Sequence, residues 1–235
     1  AKQATLDGYK AGFISLEMSK EQYGMRIMAS VSGVELSKIR DGKLEGKDYA
    51  EFHKAIGPAS RIDVKYAFSA QTIEQISTMA QQMVDQTGMN LLVIDYLQLV
   101  RSSKNFRSDY ERVTYVSQEL KALALRLNIP VVALAQLSRA LQGRADKRPV
   151  LSDFRDSGAI EQDADNVLML HRFDSDGDQG LMDCDAGLVD GLAQKGGQLI
   201  QVRVLKQRQG ETFETNVAFF PAKMRYAAID RRIAV

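Results

Sequence analysis

The segment that most constrains the fold runs from Leu91 to Val100 and has the sequence LLVIDYLQLV. Its first four residues are apolar, which predicts a short strand buried on both faces, as in a parallel sheet. Asp95 follows directly, so we expect a carboxylate at the end of this strand. The carboxyl ends of parallel strands form the ligand crevice of an open α/β sheet. A carboxylate there suits a magnesium–nucleotide site, because Mg²⁺ binds one or two carboxylates together with phosphate oxygens.

Composition excludes several classes of protein. The 235 residues are 45% apolar and 26% charged, as in a globular protein long enough to bury a core. The formal net charge of +1 gives no general affinity for nucleic acid, so any basic surface must be local. The single cysteine, Cys184, excludes an internal disulfide and predicts a reducing, cytoplasmic location. We find no signal-peptide pattern, no membrane-spanning apolar run, and no metal-ligand spacing around His53 or His171.

Strand and helix patterns alternate along most of the chain. The strand patterns, each a short apolar run, are at 12–17, 62–66, 91–95, 130–136 and 166–171. This alternation predicts an α/β protein with a mostly parallel central sheet flanked by helices. Two further strands, about 199–205 and 213–220, predict a C-terminal antiparallel β-hairpin with its turn at 206–210. The aspartate-rich stretch that begins at residue 174 predicts a flexible acidic insert over 174–198.

Three of the predicted strands end in a polar side chain, namely Glu17, Asp95 and Gln136. At one edge of a sheet they would supply a general base, a magnesium ligand and a neutral hydrogen-bonding sensor for a phosphate. Taken singly, each also fits a helix N-cap or a solvated strand end. Their combination favours a nucleotide site.

Five motifs resemble the C-terminal motor domain of DnaB-type replicative DNA helicases, in the same order and spacing. They are FISLEMS at 13–19, VIDYLQL at 93–99, AQLSR at 135–139, DKRP at 146–149 and SDFRDSGAIEQDAD at 152–165. The resemblance covers residues 1 to about 228. It implies that residues 1–235 form one motor domain with the RecA-like core of the P-loop NTPases.

The resemblance also implies a mechanism: an ATP-hydrolysing helicase that works with Mg²⁺ as a homohexameric ring and moves 5′–3′ along single-stranded DNA. Glu17 would polarise the attacking water, Asp95 would serve Mg²⁺ through water, and Gln136 would sense the γ-phosphate. Lys206 and Arg208 match the family's Lys-x-Arg-x-Gly turn, which reaches the nucleotide of the neighbouring subunit. The alternative for this pair is a hairpin turn with solvated charges.

The basic segment that follows Gln136 is the expected DNA contact, through phosphates rather than bases. The residues concerned are Arg139, Arg144, Lys147, Arg148, Arg155, Asp156 and Gly158. Residues 155–158 match the family's Arg-Glu-Ser-Gly motif, with Asp156 in place of the glutamate. For the basic residues, a solvated loop is the alternative.

The phosphate-binding pattern Gly-x-x-x-x-Gly-Lys-[Ser/Thr] does not occur in the sequence. In the family this loop precedes a helix, and residues 1–10 resemble the end of that helix. We therefore expect the loop ahead of residue 1, and no ATP hydrolysis by residues 1–235 alone. Primase and a helicase loader, as in a primosome, are expected partners, in part through regions outside this chain. Two alternatives stay open: another RecA-type recombination or repair ATPase, and a DNA-binding paralogue that does not hydrolyse ATP.

Overall fold

The computed structural model describes residues 1–138, Arg144, 146–154, 158–173 and 186–229. These residues divide into two compact units. The first unit contains the described residues of 1–24, 53–136 and 156–163, and the second contains those of 25–52, 137–155 and 164–235. Within the described ranges, no helix has the length and apolar character needed to cross a membrane.

A parallel four-stranded sheet forms the core of the first unit. Its strands are β1 (Ala11–Ser15), β2 (Val64–Ala67), β3 (Leu91–Asp95) and β4 (Val131–Ala133), in the spatial order β2-β1-β3-β4. All of β1 and the middle three residues of β3 are buried, because these two strands lie inside the sheet. The prediction of a central strand that ends at Asp95 is confirmed.

Two strands of this sheet are shorter than predicted. β1 ends at Ser15 and β4 ends at Ala133, so Glu17 and Gln136 lie in the segments after their strands. The apolar run at 130–136 is typical of a buried strand, but β4 is not buried, since Val132 and, just after the strand, Leu134 remain 46% and 45% exposed. The reason is position, because β4 is at the edge of its sheet, where β3 is its one neighbour among the described strands.

Helices accompany the parallel sheet. They are α1 (Lys2–Leu6), α5 (Ile73–Thr87), α6 (Asp109–Leu127) and α7 (Gly158–Asp163), and α2 (Lys20–Ser32) and α4 (Lys47–Ser60) each continue into the second unit. Thr72 and Gln75 form a capping box at the start of α5. α6 has one apolar face, and its residues Val113, Val116, Leu120 and Leu123 are buried.

One glycine is required by the packing of this unit. Gly12 lies in β1, and a Cβ atom at this position would collide with the sulfur of Met89 and press on that of Met83. Met89 itself is only 2% exposed, so it has little room to move away. The packing around β1 therefore leaves no room for a side chain larger than the hydrogen atom of glycine at position 12.

An antiparallel four-stranded sheet organises the second unit. Its strands are β5 (Asn166–Arg172), β6 (Gln198–Gln207), β7 (Phe213–Phe220) and β8 (Arg225–Ala228), in the order β5-β6-β7-β8. The predicted hairpin is therefore the centre of a larger sheet. Assignment of β5 to the parallel sheet is wrong, because this strand pairs with β6 and alternates between buried and exposed residues. That alternation is typical of a strand with one covered face.

Two further helices, α3 (Leu36–Arg40) and α8 (Ala186–Gln194), belong to the second unit. α8 falls in the predicted flexible insert, of which residues 174–185 lie outside the described residues. In the remainder, Val189 of α8 packs against Phe173 and Leu199 in a small apolar cluster, and the flexibility of the insert stays a prediction. Apolar residues at helical spacing supply an ordered element there despite the acidic neighbours.

Candidate functional site

The carboxyl ends of β1 and β3 lie side by side. Ser15 is paired with Asp95 in the parallel ladder, and the N–H of Leu16 donates to the Asp95 carbonyl at 2.8 Å. Glu17 follows one residue later. The structure thus brings the segments that carry the predicted base and the predicted magnesium ligand to one edge of the sheet.

Two local hydrogen-bond motifs fix the segment that carries Glu17. Ser15 is 1% exposed, and its hydroxyl accepts from the Met18 N–H at 3.1 Å and donates to the Met18 carbonyl at 3.2 Å. Ser19 and Gln22 then form a capping box at the start of α2, with N···O distances of 3.1 and 3.3 Å. Glu17 is exposed between these motifs, so its carboxylate is accessible on a backbone that is held on both sides.

Gln136 is held by the side chain of Gln98, a residue of the VIDYLQL motif for which the sequence predicted no role. The Nε2 of Gln98 donates to the Gln136 carbonyl at 2.9 Å, and the Gln136 N–H donates to the Oε1 of Gln98 at 3.1 Å. Gln136 itself is exposed. One short segment therefore carries the carboxylate of Asp95 and, three residues later, the group that holds Gln136.

Gln98 is in turn anchored by an arginine of α6. Gln98 lies in a 3₁₀ turn, Leu97–Leu99, that follows β3. The guanidinium of Arg112 donates to the Gln98 carbonyl at 3.0 Å and also to the Val100 carbonyl. It forms an ion pair with Asp109 at 3.0 Å as well. This role of Arg112 could not be predicted from the sequence, because it depends on the contact between α6 and the turn in the folded structure.

Asp95 fits a magnesium ion that is held mainly by a nucleotide. It is a single half-buried carboxylate at the carboxyl edge of the parallel sheet. Among the described residues, no group of three His, Cys, Asp or Glu side chains could hold a metal ion by itself. Mg²⁺ usually keeps several waters and is bound by one or two carboxylates together with phosphates, so one carboxylate is what such a site requires.

The second unit contains Lys206 and Arg208. Lys206 lies within β6, opposite Val167 of β5, so the prediction that it belongs to the turn is wrong. Arg208 is in the turn, and its backbone N–H donates to the Asp165 carbonyl at 2.9 Å. Its Nη1 also pairs with the Asp165 carboxylate at 2.8 Å, with the two side chains 61% and 45% exposed. Asp165 therefore holds Arg208 at the surface from both its backbone and its side chain.

Two of the predicted DNA-binding arginines have acidic partners within their own loop. Arg144 binds Asp153 through both Nη atoms at 3.1 and 2.9 Å, and the Asp153 side chain is only 9% exposed. Arg148 binds Asp146 at 2.9 Å, whereas Lys147 between them is exposed. Three other predicted contacts lie outside the described residues: Arg139, Arg155 and Asp156. Gly158 is the first residue of α7.

Contacts with β6 fix the buried side of this loop. Arg203 of β6 donates to the Pro149 carbonyl at 2.8 Å and pairs with Glu214 of β7 at 2.6 Å. The carboxylate of Asp153 accepts the Val150 N–H at 2.8 Å. On the exposed side, hydrogen bonds from Arg148 lower the pKa of Asp146 to about 2, so this carboxylate stays ionised at neutral pH.

Comparison with known proteins identifies the family. Residues 1–228 match the family described as DnaB-like helicase C terminal domain. The replicative DNA helicase DnaB of Geobacillus stearothermophilus is 33% identical over 232 residues, which cover 97% of this chain and 48% of that protein. Replicative DNA helicase DnaC of Bacillus subtilis is 31% identical, with the same coverage of 97% and 48%. The chain thus spans about half the length of these curated relatives.

Two solved structures have the same fold as this chain. One, a solved ATPase domain, matches with a TM-score of 0.83 and 27% identity, over 98% of this chain and 78% of that chain. The structure of a DnaB-like replicative helicase and its interactions with primase matches with a TM-score of 0.83 and 28% identity, over 98% of this chain and 54% of that chain. These matches confirm the predicted RecA-like fold class. Because the family match extends over almost the whole sequence, this chain belongs to the DnaB-like helicase C-terminal domain family.

Proposed function

We propose that this chain is the motor of an ATP-dependent replicative DNA helicase, which moves 5′–3′ on single-stranded DNA as part of a homohexameric ring. The observation that carries the proposal is the arrangement at the carboxyl edge of the parallel sheet. There Glu17 follows β1, Asp95 is the last residue of the neighbouring strand β3, and Gln136 is held to the segment after Asp95. Family membership favours a replicative helicase over a recombination or repair ATPase.

In this proposal each residue of that edge has one task. Glu17, exposed on a fixed turn, accepts the proton of the water that attacks the γ-phosphate. Asp95 holds Mg²⁺ through water, and the bound ion neutralises negative charge on the phosphate oxygens. The side-chain amide of Gln136 donates a hydrogen bond to the γ-phosphate and so distinguishes ATP from ADP.

Lys206 and Arg208 act on the nucleotide of the neighbouring subunit in the proposed ring. The Arg208–Asp165 ion pair supports this assignment, because it displays the guanidinium on the surface at a partner that is easily exchanged. Ion pairs between exposed side chains contribute only about 0–1 kcal/mol, so transfer of Arg208 to a phosphate loses little.

Single-stranded DNA is proposed to bind the basic loop through its phosphates. Lys147 is exposed and Arg148 can exchange the solvent-facing Asp146 for a phosphate, whereas Arg144 keeps the loop in shape through the buried carboxylate of Asp153. Arg139, Arg155, Asp156 and Gly158 complete the proposed contact. Because no base is read, affinity is expected to be nearly independent of sequence and to fall steeply with salt.

Primase and a helicase loader are the proposed protein partners, and the cytoplasm is the proposed location. The first partner is supported by the structural relative that is described together with its interactions with primase. The loader rests on the family resemblance. A cytoplasmic location agrees with the presence of only one cysteine in the sequence.

The test is the change Glu17→Gln in the intact protein, with hydrolysis and nucleotide binding measured separately. The amide keeps the size of the side chain but accepts protons far more weakly, so we expect ATP hydrolysis to fall by about 10²–10⁴-fold with ATP binding retained. Glu21→Gln is the matched control, because Glu21 is an exposed carboxylate on the first turn of α2.

Three results would contradict parts of the proposal. Wild-type hydrolysis in the Glu17→Gln protein would remove Glu17 from the base role. An intact protein that binds single-stranded DNA without hydrolysing ATP would identify the non-hydrolysing paralogue. ATP-dependent filaments on DNA without unwinding would identify the recombination ATPase.

A further inference from the structure

The pairing of β3 and β4 stops where the chain turns after Asp95. The last residues in register are Ile94 and Ala133, and the Leu134 N–H then donates to the Ile94 carbonyl at 2.9 Å. Beyond Asp95 the backbone enters the 3₁₀ turn Leu97–Leu99. A 3₁₀ turn directs its peptide groups along its own axis, so beyond Leu134 it offers no regular strand edge to the chain that follows β4.

The side chain of Gln98 supplies the missing edge. Its amide donates to the Gln136 carbonyl at 2.9 Å and accepts the Gln136 N–H at 3.1 Å. One residue earlier, the Leu97 N–H donates to the Leu134 carbonyl at 2.9 Å. A primary carboxamide is the side-chain group that offers an N–H donor and a carbonyl acceptor in one plane, as a peptide group does. The amide thus continues the β3–β4 pairing beyond the strands themselves.

We propose that Gln98 is a positioning residue for ATP hydrolysis, which sets the place of Gln136 relative to Asp95. Gln98 is three residues from Asp95, its carbonyl is fixed by Arg112 of α6, and its amide holds both backbone groups of Gln136. One side chain therefore ties the backbone of the proposed γ-phosphate sensor to the segment that carries the proposed magnesium ligand. This inference rests on the proposed role of Gln136.

The requirement for Gln98 is chemical as well as spatial. Leucine has a similar size but neither donates nor accepts a hydrogen bond, so Gln98→Leu removes both contacts to Gln136. Glutamate keeps the acceptor for the Gln136 N–H but, when ionised, has no donor for the Gln136 carbonyl. Displacement of a catalytic group by about 1 Å can reduce a rate by about 10²-fold. The two variants therefore separate the acceptor from the donor.

The experiment measures kcat and KM for ATP in the intact protein with single-stranded DNA. We expect Gln98→Leu to lower kcat by about 10-fold or more and to change KM by less than about 2-fold, since the transition state is affected more than binding. Gln82→Leu is the matched control, because Gln82 is an exposed glutamine on α5, and it should behave as wild type. The double variant with Gln136→Ala should be no slower than Gln136→Ala alone, because the two residues act as a unit.

Hydrogen exchange of the peptide that contains Gln136 provides a readout that does not depend on hydrolysis. Exchange should be faster in Gln98→Leu and close to wild type in Gln98→Glu, which retains the acceptor. Should Gln98→Leu fail to assemble, Gln98→Glu tests the donor through kcat. Unchanged kcat in both Gln98 variants, or additive losses with Gln136→Ala, overturns the inference. Full activity of Gln136→Ala overturns instead the role given to Gln136, and exchange then still reports whether Gln98 holds its backbone.

Discussion

Glu74 fixes the segment that follows the 3₁₀ turn after β3. Its carboxylate accepts hydrogen bonds from the Ser102 and Ser103 hydroxyls at 2.8 and 3.0 Å. Partial burial acts to raise the pKa of Glu74, but the hydrogen bonds from its own backbone, Ser102, Thr72 and Ser103 outweigh burial and lower the pKa to about 2. A single carboxylate thus joins the start of α5 to the segment that leads from the 3₁₀ turn to α6.

Glu74→Gln is expected to lower the free energy of unfolding by about 1–2 kcal/mol at pH 7, since hydrogen bonds to a charged group are lost. The folded-state pKa of about 2 lies below the ordinary value of 4.5, so this stabilisation is complete above pH 4.5 and disappears as the pH falls toward 2. Denaturant unfolding at several pH values measures it. Glu211→Gln, in the exposed β6–β7 turn, should shift stability by less than about 0.5 kcal/mol. An equal deficit for Glu74→Gln at pH 2.5 and pH 7 would contradict the charge argument.

The elements of the first unit were predictable where local chemistry decides them. The apolar run before Asp95 gave β3, and the capping pattern of Thr72 and Gln75 gave the start of α5. The ends of β1 and β4 depend on tertiary contacts instead, such as the turn that Ser15 forms and the absence of a second neighbour for β4 among the described strands. The local sequence does not show such contacts, so the ends of these strands could not be predicted from it.

The candidate site shows the same division. Glu17, Asp95 and Gln136 could be proposed from residue type and position at strand ends. Gln98 and the acidic partners of Arg144 and Arg148 could not, because a sequence does not show which side chains meet. Because Arg144 and Arg148 are paired with aspartates, the positive charge that this loop offers to DNA is smaller than its count of basic residues suggests.

Substitution of Asp153 and of Asp146 tests this loop, because we expect the two changes to shift the affinity for single-stranded DNA in opposite directions. Each substitution by Asn removes one negative charge. Asp146→Asn removes the ion pair between Asp146 and Arg148, so we expect tighter binding of single-stranded DNA and a salt slope steeper by up to about 0.7. Asp153→Asn breaks the pair between the buried Asp153 carboxylate and Arg144, so we expect weaker binding, and stability lower by about 1–3 kcal/mol.

Both measurements use the intact protein with a non-hydrolysable nucleotide and fluorescent oligonucleotides across a salt series. Thermal unfolding of each variant provides the control for loss of fold. If both substitutions tighten binding equally, net charge alone governs the contact and the shape of the loop does not matter. If neither changes the affinity, residues 144–153 do not contact DNA.

At the scale of the whole molecule, the proposed ring divides each nucleotide site between two subunits. One subunit supplies Glu17 and Asp95 from its first unit, and the neighbour supplies Lys206 and Arg208 from its second unit. Head-to-tail contacts of this kind give a ring when the rotation between successive subunits closes, as the proposal requires. A subunit with a defect in Glu17 can therefore still supply Arg208 to its neighbour, and a subunit with a defect in Arg208 can still supply Glu17.

Mixing Arg208→Ala subunits with Glu17→Gln subunits should restore part of the activity. Each change alone is expected to reduce ATP hydrolysis strongly, by about 10³–10⁵-fold for a trans arginine. About a quarter of the interfaces in a randomly mixed head-to-tail ring combine an intact Glu17 with an intact Arg208. Steady-state hydrolysis after subunit exchange measures the gain.

Asp165→Asn is the control for the Arg208 variant, because it removes the same ion pair and keeps the guanidinium. Its hydrolysis should stay within about 3-fold of wild type, as expected for an exposed pair. Mixed rings no more active than the separate mutants would show that Lys206 and Arg208 do not act in trans.

The position of β4 has a practical consequence for anyone who purifies this domain. Among the described strands only β3 pairs with β4, so the outer edge of β4 presents backbone groups next to the exposed apolar side chains of Val132 and Leu134. Such an edge is a template for strand addition by a second copy, so concentrated samples of the isolated domain are prone to aggregate. Val132→Lys, a charge of the kind that natural edge strands carry, is the first substitution to make when the domain is prepared for crystallisation or NMR.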